Sequence, residues 1–285
     1  MDRLRSVGST ALGFLLGTTL ASQLTLTAVL VLLLSILLGT VESMVMASRE
    51  FSRQGVVLLR DTYASGQVIP QEADGPAPLV RPSHNEREGV EFSYSTFLFL
   101  KKESFDNPGS AGSAGGSTEK MRHVFHKGGS AAFPLLGPGV FVLRSTNTLR
   151  VFMNSIAKWD EHVDVPNIPL DKWFHLALVL RDRKLDVYIN GNVAARLVLT
   201  SSAKLNYADV HVLRNISTPE AALRDSFAVD GAAQGMVSRL HYYAFALNFA
   251  QVDALYRQGP STKVVDSTAF ASVPPYMADS WWTRT

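Results

Sequence analysis

The sequence predicts one membrane-spanning helix followed by an all-β antiparallel sandwich. Residues 6–41 contain no charged side chain, and short apolar runs separated by turn residues recur from residue 90 onward. Strands alternate their side chains with a period of two, and short strands at even spacing are typical of sandwiches and barrels. A third observation, a hairpin pattern within residues 173–191, indicates that neighbouring strands pair antiparallel.

Composition excludes several classes of function. The chain has 285 residues, a formal net charge of +2 and no cysteine. Without a block of Lys and Arg, composition gives no reason to expect a nucleic-acid partner. The absence of cysteine excludes disulfides, thiolate nucleophiles and Cys-based zinc or iron–sulfur sites, but it leaves the cellular compartment open.

The apolar stretch from Leu24 to Val41 is the predicted transmembrane helix, preceded by an N-terminal segment of residues 1–23. At about 1.5 Å per residue it spans roughly 27 Å, close to the hydrocarbon thickness of a bilayer. A lipid bilayer is therefore a predicted partner, and the chain is predicted to be a single-pass membrane protein. A cleaved signal peptide is the competing interpretation, because small residues at Val45-Met46-Ala47 precede Ser48. Arginines on both sides of the stretch are nearly balanced, which leaves the orientation open.

The rest of the chain divides into three parts. Residues 42–89 are predicted to form a juxtamembrane segment and a linker, because four prolines between residues 70 and 82 remove amide donors and fix φ. Residues 90–259 carry the strand candidates and one short helix at residues 249–258, and residues 260–285 form a tail. The strand candidates are residues 90–100, 123–126, 139–143, 148–153, 173–180, 185–189, 193–199, 209–213 and 236–244.

The clearest local pattern is a hairpin that begins at Trp173 and His175. An apolar strand runs to Leu180, a polar turn follows, and alternation resumes before Tyr188. The next two residues, Asn190-Gly191, accept positive φ and favour a second tight turn. These residues define the predicted fold more sharply than any other segment.

The segments 167–180 and 185–191 together resemble the core hairpin of laminin-G-like, concanavalin A-like jelly rolls. In that family a Trp is followed by His and an apolar strand, and an aromatic residue precedes Asn-Gly. Residues 235–247 resemble the closing strand of the family, and residues 249–256 resemble the short helix that follows it. The resemblance covers about residues 90–259 and implies a concanavalin A-like antiparallel jelly-roll sandwich.

A narrower resemblance is to versions of this domain encoded by large DNA viruses of algae and protists. It is carried by His123-Val-Phe-His-Lys-Gly128, Gly137-Pro-Gly-Val-Phe-Val142, Asn147-Thr-Leu149, residues 167–170 and Gly259-Pro260. Ala232-Ala-Gln-Gly235 departs from the Gly-Gly-Phe of many relatives. The resemblance implies a minor capsid protein that links an inner virion membrane to capsid proteins. The broader resemblance implies a carbohydrate-binding lectin-like module as the alternative.

No catalytic centre is predicted. Glycosidases on this fold place two Glu on one strand, so that both carboxyls face the sugar, and the required Glu-x-Asp-x-Glu or Glu-x-Asp-x-x-Glu is absent. The nearest cluster, residues 160–164 with Glu161 and Asp164, is interpreted as a solvated loop. A membrane-tethered glycosidase that uses these two residues is the least favoured hypothesis, and the chain is predicted not to be an enzyme.

Metal sites are not predicted from the residues. His123 and His126 are three positions apart, which on a regular strand points them to opposite faces and disfavours a shared metal. Calcium is implied only by the family resemblance, with Asp182, Asp209, Asp225 and Asp230 near predicted loops. No cofactor is therefore predicted.

Two surface features remain. Asn215-Ile-Ser217 is an N-glycosylation sequon, which requires a lumenal location to be used. The tail carries Tyr276 and the adjacent Trp281 and Trp282. Large apolar side chains near a free end are costly to expose, so these three residues are predicted to dock on the sandwich or on a partner protein.

Overall fold

The computed structural model describes residue 17 and residues 20–83, 89–105, 119–217 and 227–266, with the backbone alone for residues 44–53. It divides into two compact units, residues 1–54 and residues 55–285. The first unit contains one long helix and the second contains the β-strands.

Helix α1 covers Leu20–Gln54. Its segment Leu20–Ser43 has a mean hydropathy of 2.6, and none of its most apolar window is buried. The hydroxyls of Thr25, Thr27 and Thr40 donate to backbone carbonyls three residues earlier, so that they add little polar surface. The helix is long and apolar enough to cross a membrane, and a helix of this kind near an N-terminus serves as a membrane span or as a signal sequence.

Two antiparallel sheets form the second unit. The first sheet has the order β10-β9-β8-β3-β13-β1-β14, and the second has the order β2-β11-β4-β5-β6-β7, with β12 paired to β4. Only the β1–β14 and β12–β4 pairs are parallel among the described ladders. The strands are β1 Val56–Tyr63, β2 Gln67–Ile69, β3 Glu91–Leu100, β4 Lys120–Gly128, β5 Leu136–Leu143, β6 Thr148–Phe152, β7 His162–Pro166, β8 Trp173–Arg181, β9 Lys184–Ile189, β10 Asn192–Val198, β11 Val210–Val212, β12 Ala228–Ala232, β13 Gly235–Tyr243 and β14 Val264–Val265.

The core lies between the two sheets. Phe92, Tyr94 and Leu98 of β3 face it with a period of two, and Phe174 and Leu178 of β8 do the same. Each fully buried side chain of this size stabilises the fold by about 1.5–3 kcal/mol relative to exposure. A second apolar cluster lies apart from this core and includes Phe141 of β5, Phe152 of β6 and Phe227.

The hairpin turns follow from residues that tolerate positive φ. Asp182 has φ 52° between β8 and β9, and Asn190 and Gly191 have φ 50° and 82° between β9 and β10. The side-chain oxygen of Asn190 also accepts a hydrogen bond of 2.9 Å from the backbone N–H of His175. The antiparallel sandwich expected from the alternation is therefore confirmed, with its tight turns at the expected residues.

The sandwich begins earlier in the chain than the predicted boundary at residue 90. Strands β1 and β2 lie within residues 42–89, where a juxtamembrane segment and linker were predicted, and they pair with β13 and β11. Their partners are more than 140 residues away, so no local pattern reveals the pairing. The proline-rich part that follows β2 has no helix or strand between residues 70 and 83.

Helix α2 covers Phe249–Arg257 and buries Val252 and Leu255. Asn248 begins it with a capping box, because its side chain accepts from the backbone N–H of Gln251 and the Gln251 side chain accepts from the backbone N–H of Asn248. The predicted short helix is therefore present. Tyr256 of α2 lies 6.1 Å from the ring of His175, which places the helix against the outer face of the first sheet.

Candidate functional site

The interpretation of residues 160–164 as a solvated loop is wrong in one respect, because this segment leads into the edge strand β7. Glu161 immediately precedes β7 and is only 9% exposed. It accepts hydrogen bonds from the Ser155 hydroxyl and from both the N–H and the hydroxyl of Thr200, the latter two at 2.8 Å. Desolvation opposes ionisation of Glu161, but these hydrogen bonds hold its pKa below the usual value.

Asp164 lies on β7 and faces a different partner. Arg150 on the neighbouring strand β6 donates two hydrogen bonds of 2.7 Å to the two oxygens of Asp164. These bonds lower the pKa of the Asp164 carboxyl below its ordinary value. A general acid needs a raised pKa and a free oxygen. Neither Glu161 nor Asp164 meets this requirement, so both carboxylates serve the structure of β7.

We therefore expect Glu161→Gln to lower stability without altering any activity. An amide would face two hydroxyls and an N–H with only one acceptor, which costs about 1–3 kcal/mol of unfolding free energy. Chemical denaturation of the full chain in lipid nanodiscs, followed by tryptophan fluorescence, measures this. Asp160→Asn is the matched control and leaves stability nearly unchanged, whereas equal losses in both variants would contradict the assignment.

His175 of the predicted hairpin is fully buried beneath α2. Its Nε2 lies 2.8 Å from the Ser95 hydroxyl, whereas its Nδ1 has no hydrogen-bond partner. Burial, together with the neighbouring His241, lowers the pKa of His175 to about 4. Ser95 is also buried, and no carboxylate of the described residues contacts the ring. This pair therefore resembles a packed core contact rather than a nucleophile with its base.

The remaining hairpin residues lie on the strands β8 and β9 or in the turn that follows them. Trp173 is half-buried and packs against Phe99 with ring centroids 5.6 Å apart. Tyr188 is buried on β9, and Asn190 and Gly191 form the turn to β10. These residues shape the sandwich.

His123 and His126 do not point to opposite faces, contrary to the expectation from their spacing. The register between β4 and β5 shifts between His123 and Phe125, which is the signature of a β-bulge at Val124. The extra residue returns both imidazoles to one face, where His123 Nε2 and His126 Nδ1 lie 2.7 Å apart. His211 of β11 lies opposite His126 of β4, and the two rings stack with centroids 4.7 Å apart.

The calcium candidates do not come together. Asp209 accepts from the backbone N–H of Gln71, Asp230 pairs with Arg144, and Asp182 lies beside Arg183. Within the described ranges no group of three or more His, Asp or Glu is arranged to hold a metal ion. These aspartates therefore do not fit a calcium site, and Asp225 lies outside the described residues.

A cleft at one end of the sandwich has the character of a ligand site. Phe92, Tyr94 and Tyr242 form its apolar wall, and Leu205 and Tyr207 stand at its rim. Tyr207 is 83% exposed. The enclosed space of the cleft measures about 30 Å³. A space of this size holds one group about as large as a water molecule, such as a single hydroxyl of a ligand that rests against the rim.

Two polar groups add chemistry to the cleft. The hydroxyl of Tyr94 is buried and has no hydrogen-bond partner. Burial, reinforced by Tyr242, raises the pKa of Tyr94 well above its ordinary value, so the hydroxyl stays neutral and can both donate and accept. Lys127 donates 2.7 Å to the carbonyl of Ala208, and burial lowers its pKa to about 8. This cleft was not anticipated, because its residues come from distant parts of the sequence.

The predicted docking residues of the tail and the N-glycosylation sequon have different outcomes. Tyr276, Trp281 and Trp282, the predicted docking residues, lie outside the described residues. Asn215 of the sequon is exposed between β11 and β12, and its side-chain oxygen lies near Gly231. An exposed sequon asparagine is sterically compatible with glycosylation.

Residues 114–253, just under half of the chain, match the family model Laminin_G_3, described as the Concanavalin A-like lectin/glucanases superfamily. The matched segment runs from before β4 into α2 and contains the β8–β9 hairpin. A search of curated proteins finds no match.

Solved structures of binding domains and of a sialidase are similar. The ligand-binding domain of botulinum neurotoxin serotype D in complex with N-acetylneuraminic acid has a TM-score of 0.45 and 8% identity, covering 69% of this chain and 41% of that chain. Trypanosoma rangeli sialidase in complex with 2,3-difluorosialic acid has a TM-score of 0.45 and 13% identity, covering 73% and 28%. The botulinum neurotoxin DC binding domain in complex with rat synaptotagmin II has a TM-score of 0.43 and 10% identity, covering 73% and 52%.

The chain spans about half or less of the length of these three structures. The family match and the two antiparallel sheets agree with each other and with the hairpin at Trp173. The β-sandwich of this chain has a concanavalin A-like fold.

Proposed function

We propose that this chain is a single-pass membrane protein that presents a non-catalytic, concanavalin A-like sandwich as an interaction module. The observation that carries the proposal is the uncovered apolar helix segment Leu20–Ser43, on a chain whose described residues from 55 onward form a two-sheet sandwich. Exposing so much apolar surface to water is unfavourable, whereas a bilayer accepts it. The engagement of Glu161 and Asp164 in hydrogen bonds supports a binding role over glycoside hydrolysis.

The helix offers a direct test of membrane anchoring. We expect the double change Leu30→Arg and Leu34→Arg to move the chain out of the membrane fraction after alkaline carbonate washing. Each arginine near the centre of a span costs about 2.5–3.5 kcal/mol on insertion scales, which is enough in pairs to abolish stable integration. The control, Leu30→Ala with Leu34→Ala, keeps the span apolar and stays in the membrane. Retention of the double arginine variant would argue against a lipid-embedded helix.

We propose a virion as the setting, with the sandwich contacting capsid proteins above an inner membrane. The support is the resemblance of residues 123–128 and 137–142 to domains encoded by large DNA viruses, together with the anchor. Cross-linking mass spectrometry of purified virions tests it. Cross-links from the sandwich to capsid proteins are expected, and detection of the chain only outside virions would remove the proposal.

Carbohydrate binding is the second candidate, and the cleft at Tyr94 favours it. A pyranose ring presents an apolar face and hydroxyl groups together, which matches the exposed ring of Tyr207 and the unpaired hydroxyl of Tyr94. Binding would satisfy a buried hydroxyl that otherwise costs about 1–3 kcal/mol. The ligand proposed for the cleft is therefore a neutral, terminal sugar residue.

A glycan array probed with the full chain in nanodiscs, with and without calcium, tests this candidate. Tyr207→Ala is expected to weaken binding of any retained glycan by about tenfold or more, as for an aromatic hot spot. Phe249→Ala removes another exposed aromatic ring, on α2, and leaves binding unchanged. Absence of any glycan binding, or equal effects of both variants, would reject the cleft as a sugar site.

A further inference from the structure

Three buried imidazoles form a cluster on the face of the second sheet that also carries Phe141. His123 and His126 belong to β4, and His211 belongs to β11. All three are at most 3% exposed. The bulge at Val124 and the cross-strand pairing of His126 with His211 bring the rings together. We name this group, with Arg214, the histidine chain.

The hydrogen bonds within the histidine chain each have a defined donor and acceptor. A carbonyl only accepts, so His126 Nε2 carries the proton that it donates to the carbonyl of Gly129 at 2.8 Å. His126 Nδ1 is then the acceptor for His123 Nε2–H at 2.7 Å. His123 Nδ1 in turn accepts from the backbone N–H of Arg214 at 3.1 Å. Both imidazoles are therefore neutral Nε2–H tautomers with every ring nitrogen engaged.

His211 completes the arrangement. Its Nδ1 lies 3.1 Å from a guanidinium nitrogen of Arg214, which can only donate, so this nitrogen also accepts. The carbonyl of Gly128 accepts a hydrogen bond from the ring of His211. Among the described residues, the charged groups that act on the histidine chain are Arg214 and Asp209. The ammonium of the adjacent Lys127 donates to the carbonyl of Ala208. Among these groups Asp209 alone could compensate a new positive charge.

An added proton has no acceptor inside this arrangement. On His126 or His123 it would set one N–H against another N–H donor, and it would place a cation beside Arg214. The strands next to the histidine chain are short. Strands β11 and β2 have three residues each, and β2 lies at the edge of the second sheet. Short edge strands open locally at lower cost than the central strands.

We propose that the histidine chain is an acid-sensitive latch, whose protonation releases β11 and β2 from β4 while the first sheet stays closed. Release would expose Ile69, Val210 and Val212, which are fully buried in the closed sandwich. The latch would therefore convert a drop in pH into an exposed apolar edge on the second sheet.

The direction of the pH dependence follows from linkage. Desolvation lowers the pKa of His123 and His126, to about 4 for His126, from the ordinary value of 6.5. In the open state the imidazoles regain ordinary pKa values, so the open state binds more protons below pH 6.5. Opening is thus suppressed above pH 6.5 and becomes progressively easier as the pH falls toward 4.

Hydrogen–deuterium exchange of the full chain in nanodiscs, at about pH 7 and about pH 5 and normalised for intrinsic amide rates, tests the latch. Protection of residues 67–69 and 210–213 is expected to fall by about tenfold per pH unit for each proton taken up, and at pH 5 it is expected to lie well below the protection of β3 and β8, which exchange through global unfolding. His126→Gln can still accept from His123 and donate to Gly129 but does not titrate, so its pH effect is strongly reduced.

His175→Gln is the matched control, because it removes an equally buried imidazole from the other sheet and leaves the local opening in place. Equal protection at pH 5 of residues 210–213 and of strands β3 and β8 would overturn the proposal, as would an unchanged pH effect in His126→Gln. If His126→Gln does not fold, the spatial pattern in the wild-type chain decides alone, since protection of 210–213 that persists at pH 5 also overturns it.

Discussion

Replacing Gly128 with alanine is expected to destabilise the sandwich by about 3 kcal/mol, the upper part of the range for overpacking. A Cβ at this position would lie 1.7 Å from the carbonyl oxygen of Leu135, which is backbone and cannot rotate away. Gly128 ends β4 opposite Leu136, and its N–H donates to the carbonyl of Asp209. The change therefore disturbs three connected segments of the second sheet.

The adjacent Gly129 supplies a matched control. No atom lies within 4 Å of a Cβ built there, so Gly129→Ala is expected to change the unfolding free energy by less than about 0.5 kcal/mol. Chemical denaturation of both variants, monitored by the fluorescence of Trp159 and Trp173, measures the difference. Similar stabilities for the two variants would show that Gly128 does not approach Leu135 this closely.

The unfolding free energy of the sandwich is expected to fall steeply as the pH drops from 6.5 toward 4. Burial lowers the pKa values of His126 and His175 to about 4. Each shift corresponds to about 3 kcal/mol of stability that is present above pH 6.5 and is lost as the unfolded state takes up protons below it. The lowered pKa of Asp164 acts in the same direction at lower pH.

Denaturation curves at several pH values between 7.5 and 4.5 measure this loss. His175→Gln is expected to flatten the dependence by roughly one proton. A stability that stays constant down to pH 4.5 would contradict the burial of neutral imidazoles on both sheets.

The hairpin shows which parts of the fold are visible in the sequence. Trp173, the alternation before Tyr188 and the pair Asn190-Gly191 act within a few residues of one another, so the strands and turns follow from local rules. Strands β1 and β2 were not predicted as part of the sandwich, because their partners lie far away in the chain. Pairings between strands so far apart in the chain are specified by tertiary contacts.

The candidate sites are less visible for the same reason. One extra residue at Val124 reverses the expected orientation of His126 relative to His123, and no sequence pattern marks a bulge of this kind. The sequence around Glu161 suggests a solvated loop, and only the folded chain brings Thr200 into hydrogen-bond contact with its carboxylate. The cleft joins Tyr94 to Tyr207, which are more than 110 residues apart, so only the folded chain brings them together.

Membrane anchoring requires that the apolar helix stay attached to the sandwich in the mature protein. Intact-mass spectrometry of the chain recovered from carbonate-washed membranes measures this directly. A membrane-anchored module predicts the full mass of 31.1 kDa in the washed membranes. A shorter chain that begins near Ser48 and appears in the soluble fraction would identify a cleaved signal sequence and contradict the anchor.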